Sequence, residues 1–100
     1  MDNLMYSLRI VSKGKITSLS YGFSLPGNAP FSVFVIPKGV TMDSCITIDC
    51  QLVSDTESSA FPVPLNDWTP GAIKKIAANG IDLDSYDVYW GAGCNVSINS

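Results

Sequence analysis

One hundred residues are the length of a single domain, and a content of 46% hydrophobic against 15% charged residues excludes a disordered chain. The net charge is −3, and the six lysines and arginines are scattered, so the chain lacks the basic stripe of a nucleic-acid-binding protein. The longest run of large apolar side chains, residues 33–36, is far shorter than the ~18 residues that span a bilayer, and no secretory signal is visible before Arg9.

The N-terminal part of the chain is predicted to form a β-hairpin. Residues 4–10 and 19–25 each alternate apolar with polar side chains, which is the period of a half-buried strand. Lys13-Gly14 between them supplies the turn. Residues 26–30 end the second strand because their two prolines lack an amide donor.

The middle of the chain is predicted to contain strands of different kinds. Residues 31–36 are β-branched and aromatic, and apolar enough to lie between two packed layers. Residues 45–52 send alternate side chains inward, and the polar residues 54–59 form a loop. Residues 61–65 also alternate, yet both intervening positions are proline, so this segment is predicted as an edge strand or extended coil.

After Trp68 the pattern takes on a helical period. Thr69 can cap a helix, Pro70 fits its first position, and apolar residues at 72, 73, 76 and 77 form a stripe at helical spacing. This predicts one short helix near residues 70–78. A competing interpretation makes residues 72–76 a strand at a sheet edge.

The last stretch returns to strands. A strand over residues 86–90 is followed by a predicted turn at Gly91-Ala92-Gly93 and by a final strand with Val96 and Ile98. About seven short antiparallel strands and one short helix predict a mainly β fold. We expect a small β-sandwich or barrel that forms a single domain over residues 1–100.

The three cysteines, an odd number, do not describe a disulfide framework. Cys45 and Cys50 are five residues apart on one predicted strand, which places them on opposite faces and beyond bonding reach. Buried, reduced thiols are the preferred interpretation. A bridge between Cys94 and one of the other two stays open.

No arrangement of residues for catalysis is found. The chain has no histidine, the commonest general base, and its glycines do not follow a nucleotide-binding spacing. Asp82, Asp84 and Asp87 cluster as the ligands of a hard cation do, but the rest of a calcium loop is missing, so turn-capping aspartates are favoured over an ion site. We predict a protein that is not an enzyme and has no catalytic residue, metal or cofactor.

Aromatic side chains are the candidates for binding a partner. Trp68 precedes a proline turn, and Tyr89 points away from the apolar face of its strand, whereas Trp90 on that face is predicted to lie in the core. Phe61 and Val63 are further interface candidates because they lie on the predicted edge segment.

The closing part of the chain resembles a known class of proteins. The segments that carry the resemblance are Val63-Pro64-Leu65, Trp68-Thr69-Pro70, Ile73, Ile76-Ala77-Ala78-Asn79-Gly80 and Tyr86-Asp87-Val88-Tyr89-Trp90-Gly91. Over residues 61–93 the chain is similar to small virion structural proteins of tailed bacteriophages, of the head-decoration or of the tail and neck adaptor type. The resemblance implies a β-rich module present in many copies at the capsid surface, the neck or the tail.

The expected function is structural and not enzymatic. The resemblance implies a chain that is made in the host bacterial cytoplasm and built into the virion, where it binds capsid or tail components as a homo-oligomer or many-copy assembly, without nucleic acid or membrane. The alternative is a free-standing recognition module that binds a carbohydrate or a cell surface through Trp68 and Tyr89. The sequence leaves the docking site, the copy number and the symmetry open.

Overall fold

The computed structural model describes residues 5–69 and 72–98, and the side chains of residues 12–69 and 72–93. The strands in this part of the chain are β1 (Met5–Ile16), β2 (Ser32–Pro37), β3 (Cys45–Leu52), β4 (Ser59–Pro64), β5 (Ile73–Ile76) and β6 (Tyr86–Ile98). A 3₁₀ turn at Pro26–Asn28 precedes β2. Within these described ranges there is no helix of the length and apolar character that crossing a membrane would require.

The strands form two antiparallel sheets of three strands each, in the orders β1-β6-β2 and β4-β3-β5. The prediction of a mainly β fold is confirmed, and a closed barrel is wrong because each sheet keeps two outer strands. Both sheets contribute to one hydrophobic core, and burial of each large aliphatic side chain there contributes ~2 kcal/mol. Its fully buried members are Val33, Val35, Ile48, Cys50, Val63, Ile73, Ile76 and Val88.

The second sheet contains the two strands that the alternation of side chains predicted best. β3 covers the predicted residues 45–52, with Ile48 and Cys50 buried and Thr47 and Asp49 exposed between them. β4 lies at the edge of this sheet, where a strand can carry proline because one side of it needs no ladder hydrogen bonds. Both predictions are confirmed.

Two predicted turns are wrong, and they lie opposite each other in the structure. Lys13-Gly14 lies within β1 and Gly91-Ala92-Gly93 lies within β6, so each strand continues where a reversal was expected. The two strands pair antiparallel, with Gly14 opposite Trp90. A Cβ atom on Gly14 would lie 2.8 Å from Nε1 of Trp90, so this glycine makes room for the indole within the strand.

The predicted strand over residues 19–25 is also wrong. β1 pairs with β6 and not with this segment, which is attached to β5 by an isolated bridge between Phe23 and Ile76. Alternation of apolar and polar residues predicted a strand here, but the apolar side chains of the segment do not all face the core. Phe23 packs against the core, whereas Tyr21 is 96% exposed.

The helix predicted near residues 70–78 is wrong, and the competing strand interpretation is right for Ile73–Ile76. Ile73 and Ile76 are both fully buried, although a regular strand would place residues three apart on opposite faces. A shift in register allows both side chains to face the core. Gln51 pairs with Lys75 and the next residue of β3 pairs with Ile73, so Lys74 is the extra residue of a β-bulge. Helical spacing of the apolar residues therefore came from an irregular strand.

Candidate binding groove

The outer face of the first sheet presents a row of large side chains. Lys15 of β1 lies opposite Tyr89 of β6, and Tyr89 lies opposite Phe34 of β2. Directly opposed residues of antiparallel strands share a face of the sheet. The neighbouring row of Ile16, Val88 and Val35 faces the core and is buried, so the row of Lys15, Tyr89 and Phe34 faces outward.

Trp68 is brought to this row by the segment that follows β4. The Asn66 amide donates to the Val35 carbonyl at 2.8 Å, and the Thr69 amide donates to the Val33 carbonyl at 3.0 Å. The Thr69 side chain is buried, and its Oγ1 accepts a 3.0 Å hydrogen bond from the Val33 amide instead of capping a helix. These bonds fix residues 65–69 along the outer edge of β2.

The indole of Trp68 consequently stands against Phe34. The two residues form a backbone bridge, and their ring centroids are 5.3 Å apart at an interplanar angle of 69°. Edge-to-face pairs of this kind contribute ~1 kcal/mol beyond the area they bury. Both rings stay half-buried, so part of each is open to solvent.

These aromatic residues enclose a depression that we call the aromatic groove. Its volume is about 470 Å³, and it is lined by Lys13, Gly14, Lys15, Phe34, Trp68 and Tyr89. Apolar rings lie at the β2 side and lysines at the β1 side. The lining contains no carboxylate, thiol or imidazole, so it offers an apolar surface with a cationic border.

Ion pairs order one of the two lysines. The Lys15 Nζ lies 3.2 Å from Asp87 Oδ1 and 5.8 Å from the centre of the Tyr89 ring, a cation–π arrangement. The Lys38 Nζ approaches the same carboxylate at 4.0 Å. Lys13, two residues before Lys15 on β1, is exposed and pairs with no carboxylate of residues 12–69 or 72–93.

The structure brings two of the four predicted interface residues together. Trp68 and Tyr89 line the same groove, and Tyr89 points away from the core as predicted. Phe34 is an additional member that the sequence does not reveal, because the apolar run of residues 31–36 predicts burial on both faces, whereas Phe34 is half-buried between the buried Val33 and Val35. Lys13 and Lys15 were missed because the predicted turn removed them from a strand.

The other two predicted interface residues belong to the opposite sheet. Val63 is 0% exposed and forms part of the core, so it cannot contact a partner while the chain is folded. Phe61 is partly buried and packs against the same core. Trp90 packs against the core too, with its ring centroid 6.0 Å from that of Phe23, as the sequence predicted.

Two of the three aspartates that resembled ion ligands have other side-chain partners. Asp82 Oδ1 accepts from the Asp84 amide at 3.0 Å, and Oδ2 accepts from the Ser85 hydroxyl at 2.8 Å, and these bonds lower the pKa of the Asp82 carboxyl. The Asp87 carboxylate pairs with Lys15. In the part of the chain that the structure describes, no three acidic, cysteine or histidine side chains are arranged to hold a metal ion.

The cysteines divide by exposure. Cys50 is buried as predicted, whereas Cys45 is exposed at the start of β3, and neither is in a disulfide. Because neither thiol is in a disulfide, the structure does not support a bridge from Cys45 or Cys50 to Cys94, whose own side chain lies outside the described side chains.

Comparisons of the chain with protein-family models, with curated proteins and with solved structures found no match.

Proposed function

We propose that this chain is a non-enzymatic assembly protein that binds a protein partner through the aromatic groove, in many copies within a bacteriophage virion. The observation that carries the proposal is the gathering of Phe34, Trp68 and Tyr89 on the outer face of a sheet, away from the core. Aromatic side chains of this kind dominate the energy of protein interfaces when a partner covers them.

Rigid support of the aromatic side chains favours binding. Phe34 and Tyr89 stand on paired strands, and Trp68 is fixed by the hydrogen bonds of Asn66 and Thr69 to β2. A partner that docks here does not have to order a loop first, which reduces the entropic cost of association.

The two ionisable side chains whose pKa values are shifted do not contribute to the aromatic groove. The Cys50 thiol is buried and its pKa is raised to about 11, so it is a poor nucleophile at neutral pH. The Asp82 carboxylate is engaged in its own turn. Neither group lines the aromatic groove.

The virion setting is supported by the resemblance over residues 61–93. Trp68 and Tyr89 lie in this stretch, so the residues that carry the resemblance supply two of the rings of the groove. Capsid or tail components are the proposed partners, at the capsid surface, the neck or the tail.

The proposal is tested by incorporation into purified virions. We expect the wild-type chain to be present in many copies per particle, and Trp68→Ala to reduce that number at least tenfold because it removes a central aromatic anchor. Tyr21→Ala is the matched control, since Tyr21 is 96% exposed and does not line the groove. Circular dichroism of the variants checks that they are folded.

Two results would count against the proposal. Absence of the wild-type chain from purified particles would contradict its role in the virion. Equal incorporation of Trp68→Ala and Tyr21→Ala would show that the groove is not the docking surface.

A second candidate function is carbohydrate recognition, which the aromatic side chains on an open sheet face favour. The lining argues against it, because none of its side chains is a carboxylate or amide that could bind sugar hydroxyls in both directions. Binding of a glycan on an array by the wild-type chain, lost in Trp68→Ala and kept in Tyr21→Ala, would replace the proposed function with this one.

A further inference from the structure

We infer that the occupant of the aromatic groove is an extended protein segment that carries an apolar or aromatic anchor and a carboxylate three to four residues from it. This inference rests on the proposed function and adds the chemistry of the partner.

The anchor belongs at the β2 side of the groove. Phe34 and Trp68 meet edge to face there, with their centroids 5.3 Å apart, and both remain partly open to solvent. The groove volume of about 470 Å³ falls within the range of ~300–1,000 Å³ that is typical of ligand clefts. An apolar side chain placed against these rings would remove their remaining exposed surface from water.

The carboxylate belongs at the β1 side. Lys13 and Lys15 lie two residues apart and both line the groove. Lys15 is held by Asp87 at 3.2 Å, whereas Lys13 is exposed and pairs with no carboxylate among the described side chains. An acidic residue of the partner would give Lys13 a charge-assisted hydrogen bond next to an apolar surface, where such bonds are stronger than in open water.

The distance between the two ends of the groove sets the spacing in the partner. β6 lies between β1 and β2, so these two strands are separated by two strand spacings, ~10 Å in total. Lys15 is the β1 residue in line with Phe34, and Lys13 lies two residues further along β1, so the path from the rings to Lys13 is ~12 Å. An extended chain advances ~3.3 Å per residue and crosses this distance in three to four residues. The expected motif is therefore an aromatic or large aliphatic residue followed or preceded by Asp or Glu at that spacing.

Single-stranded nucleic acid also stacks on aromatic sheet faces, but the charges favour a protein segment. Nucleic-acid binding requires several cations along a backbone. Here Asp87 lies 3.2 Å from Lys15, Asp67 is exposed beside Trp68, and the whole chain carries a net charge of −3. A single lysine without a described partner can pair with one carboxylate of a protein segment, but it cannot neutralise several phosphates.

The experiment selects binders from a random peptide library displayed on a carrier, with the immobilised full chain as bait. We expect the selected peptides to share the aromatic and acidic motif. A synthetic peptide of the selected sequence should lose about tenfold in affinity for Lys13→Glu, because the charge pair becomes a repulsion. Lys75→Glu is the matched control, since it makes the same change at an exposed lysine of β5 outside the groove.

The outcomes separate this inference from the proposed function. Loss of binding with Lys13→Glu but not with Lys75→Glu supports the inference and protein binding by the groove. Peptides that need Trp68 but bind Lys13→Glu unchanged overturn the inference and leave protein binding by the groove in place. Peptides whose affinity is unchanged by Trp68→Ala would overturn both the inference and protein binding by the groove. If no peptide is selected and a thymidine oligonucleotide binds the wild-type chain but not Lys13→Glu, the ligand of the groove is nucleic acid and the inference is wrong.

Discussion

Cys50 shows how the core controls the chemistry of one side chain. It is 1% exposed on β3, and burial, with the nearby carboxylates of Asp49 and Asp55, raises the pKa of its thiol from 9.0 to about 11. The thiol therefore stays protonated in the folded chain at pH values at which an exposed cysteine ionises. Protonation of Cys50 is thereby coupled to folding.

We expect the free energy of unfolding to fall as the pH rises from 9 to 11. The unfolded chain loses the Cys50 proton near pH 9.0, whereas the folded chain keeps it up to about pH 11, so rising pH favours unfolding. The loss should amount to ~1–2 kcal/mol over this window. Urea denaturation at a series of pH values measures it.

The control for this prediction is Cys50→Ala, which removes the thiol and leaves every other side chain in place. At pH 9 the variant should have a lower free energy of unfolding than the wild-type chain because of the cavity. Its free energy of unfolding should then fall less steeply between pH 9 and 11, because it has no thiol to ionise. Parallel curves for the wild-type chain and the variant would contradict the prediction.

At the scale of elements, the segment of residues 65–69 acts as an additional edge along β2. Its hydrogen bonds to Val33 and Val35 join the end of one sheet to the other sheet and position Trp68 in the aromatic groove. Thr69 is the buried polar member of this segment, at 3% exposure.

We expect Thr69→Val to destabilise the chain by ~1–3 kcal/mol. The substitution keeps the shape of the side chain but leaves the Val33 amide without its 3.0 Å acceptor in a buried place. Thr47→Val on the exposed face of β3 should change the free energy of unfolding by less than ~0.5 kcal/mol. Chemical denaturation compares the two, and equal effects would show that the Thr69 hydrogen bond contributes nothing.

A strand could be predicted from the sequence where the alternation of its own side chains was sufficient to define it. β3 has strict alternation with neither glycine nor proline, and its predicted and observed limits agree. β5 was predicted as a helix because Ile73 and Ile76 are three apart, and only its pairing with β3 shows the bulge that turns both inward. Gly14 suggested a turn, and only its pairing with Trp90 shows why a strand needs glycine there.

At the scale of the whole molecule, the groove was predictable only in part. Trp68 and Tyr89 can be recognised from their neighbours in the sequence. Trp68 precedes a proline, and Tyr89 alternates with the apolar residues of its strand. Their convergence with Phe34 and Lys15 depends on three strands and one connecting segment that are distant in the sequence. A single sequence does not contain the register that joins them.

The two sheets are expected to unfold as one unit. Phe31, just before β2, and Ile73 of β5 exchange two backbone hydrogen bonds, of 2.8 and 2.9 Å, and both residues are buried. Their amides should therefore exchange with deuterium only through global unfolding, as slowly as that of the fully buried Val88 and with the same denaturant dependence. The amide of Met42, whose side chain is fully exposed, should exchange far faster. Exchange at Phe31 and Ile73 that is much faster than at Val88 would mean that the sheets separate before either unfolds, which would contradict a single cooperative domain.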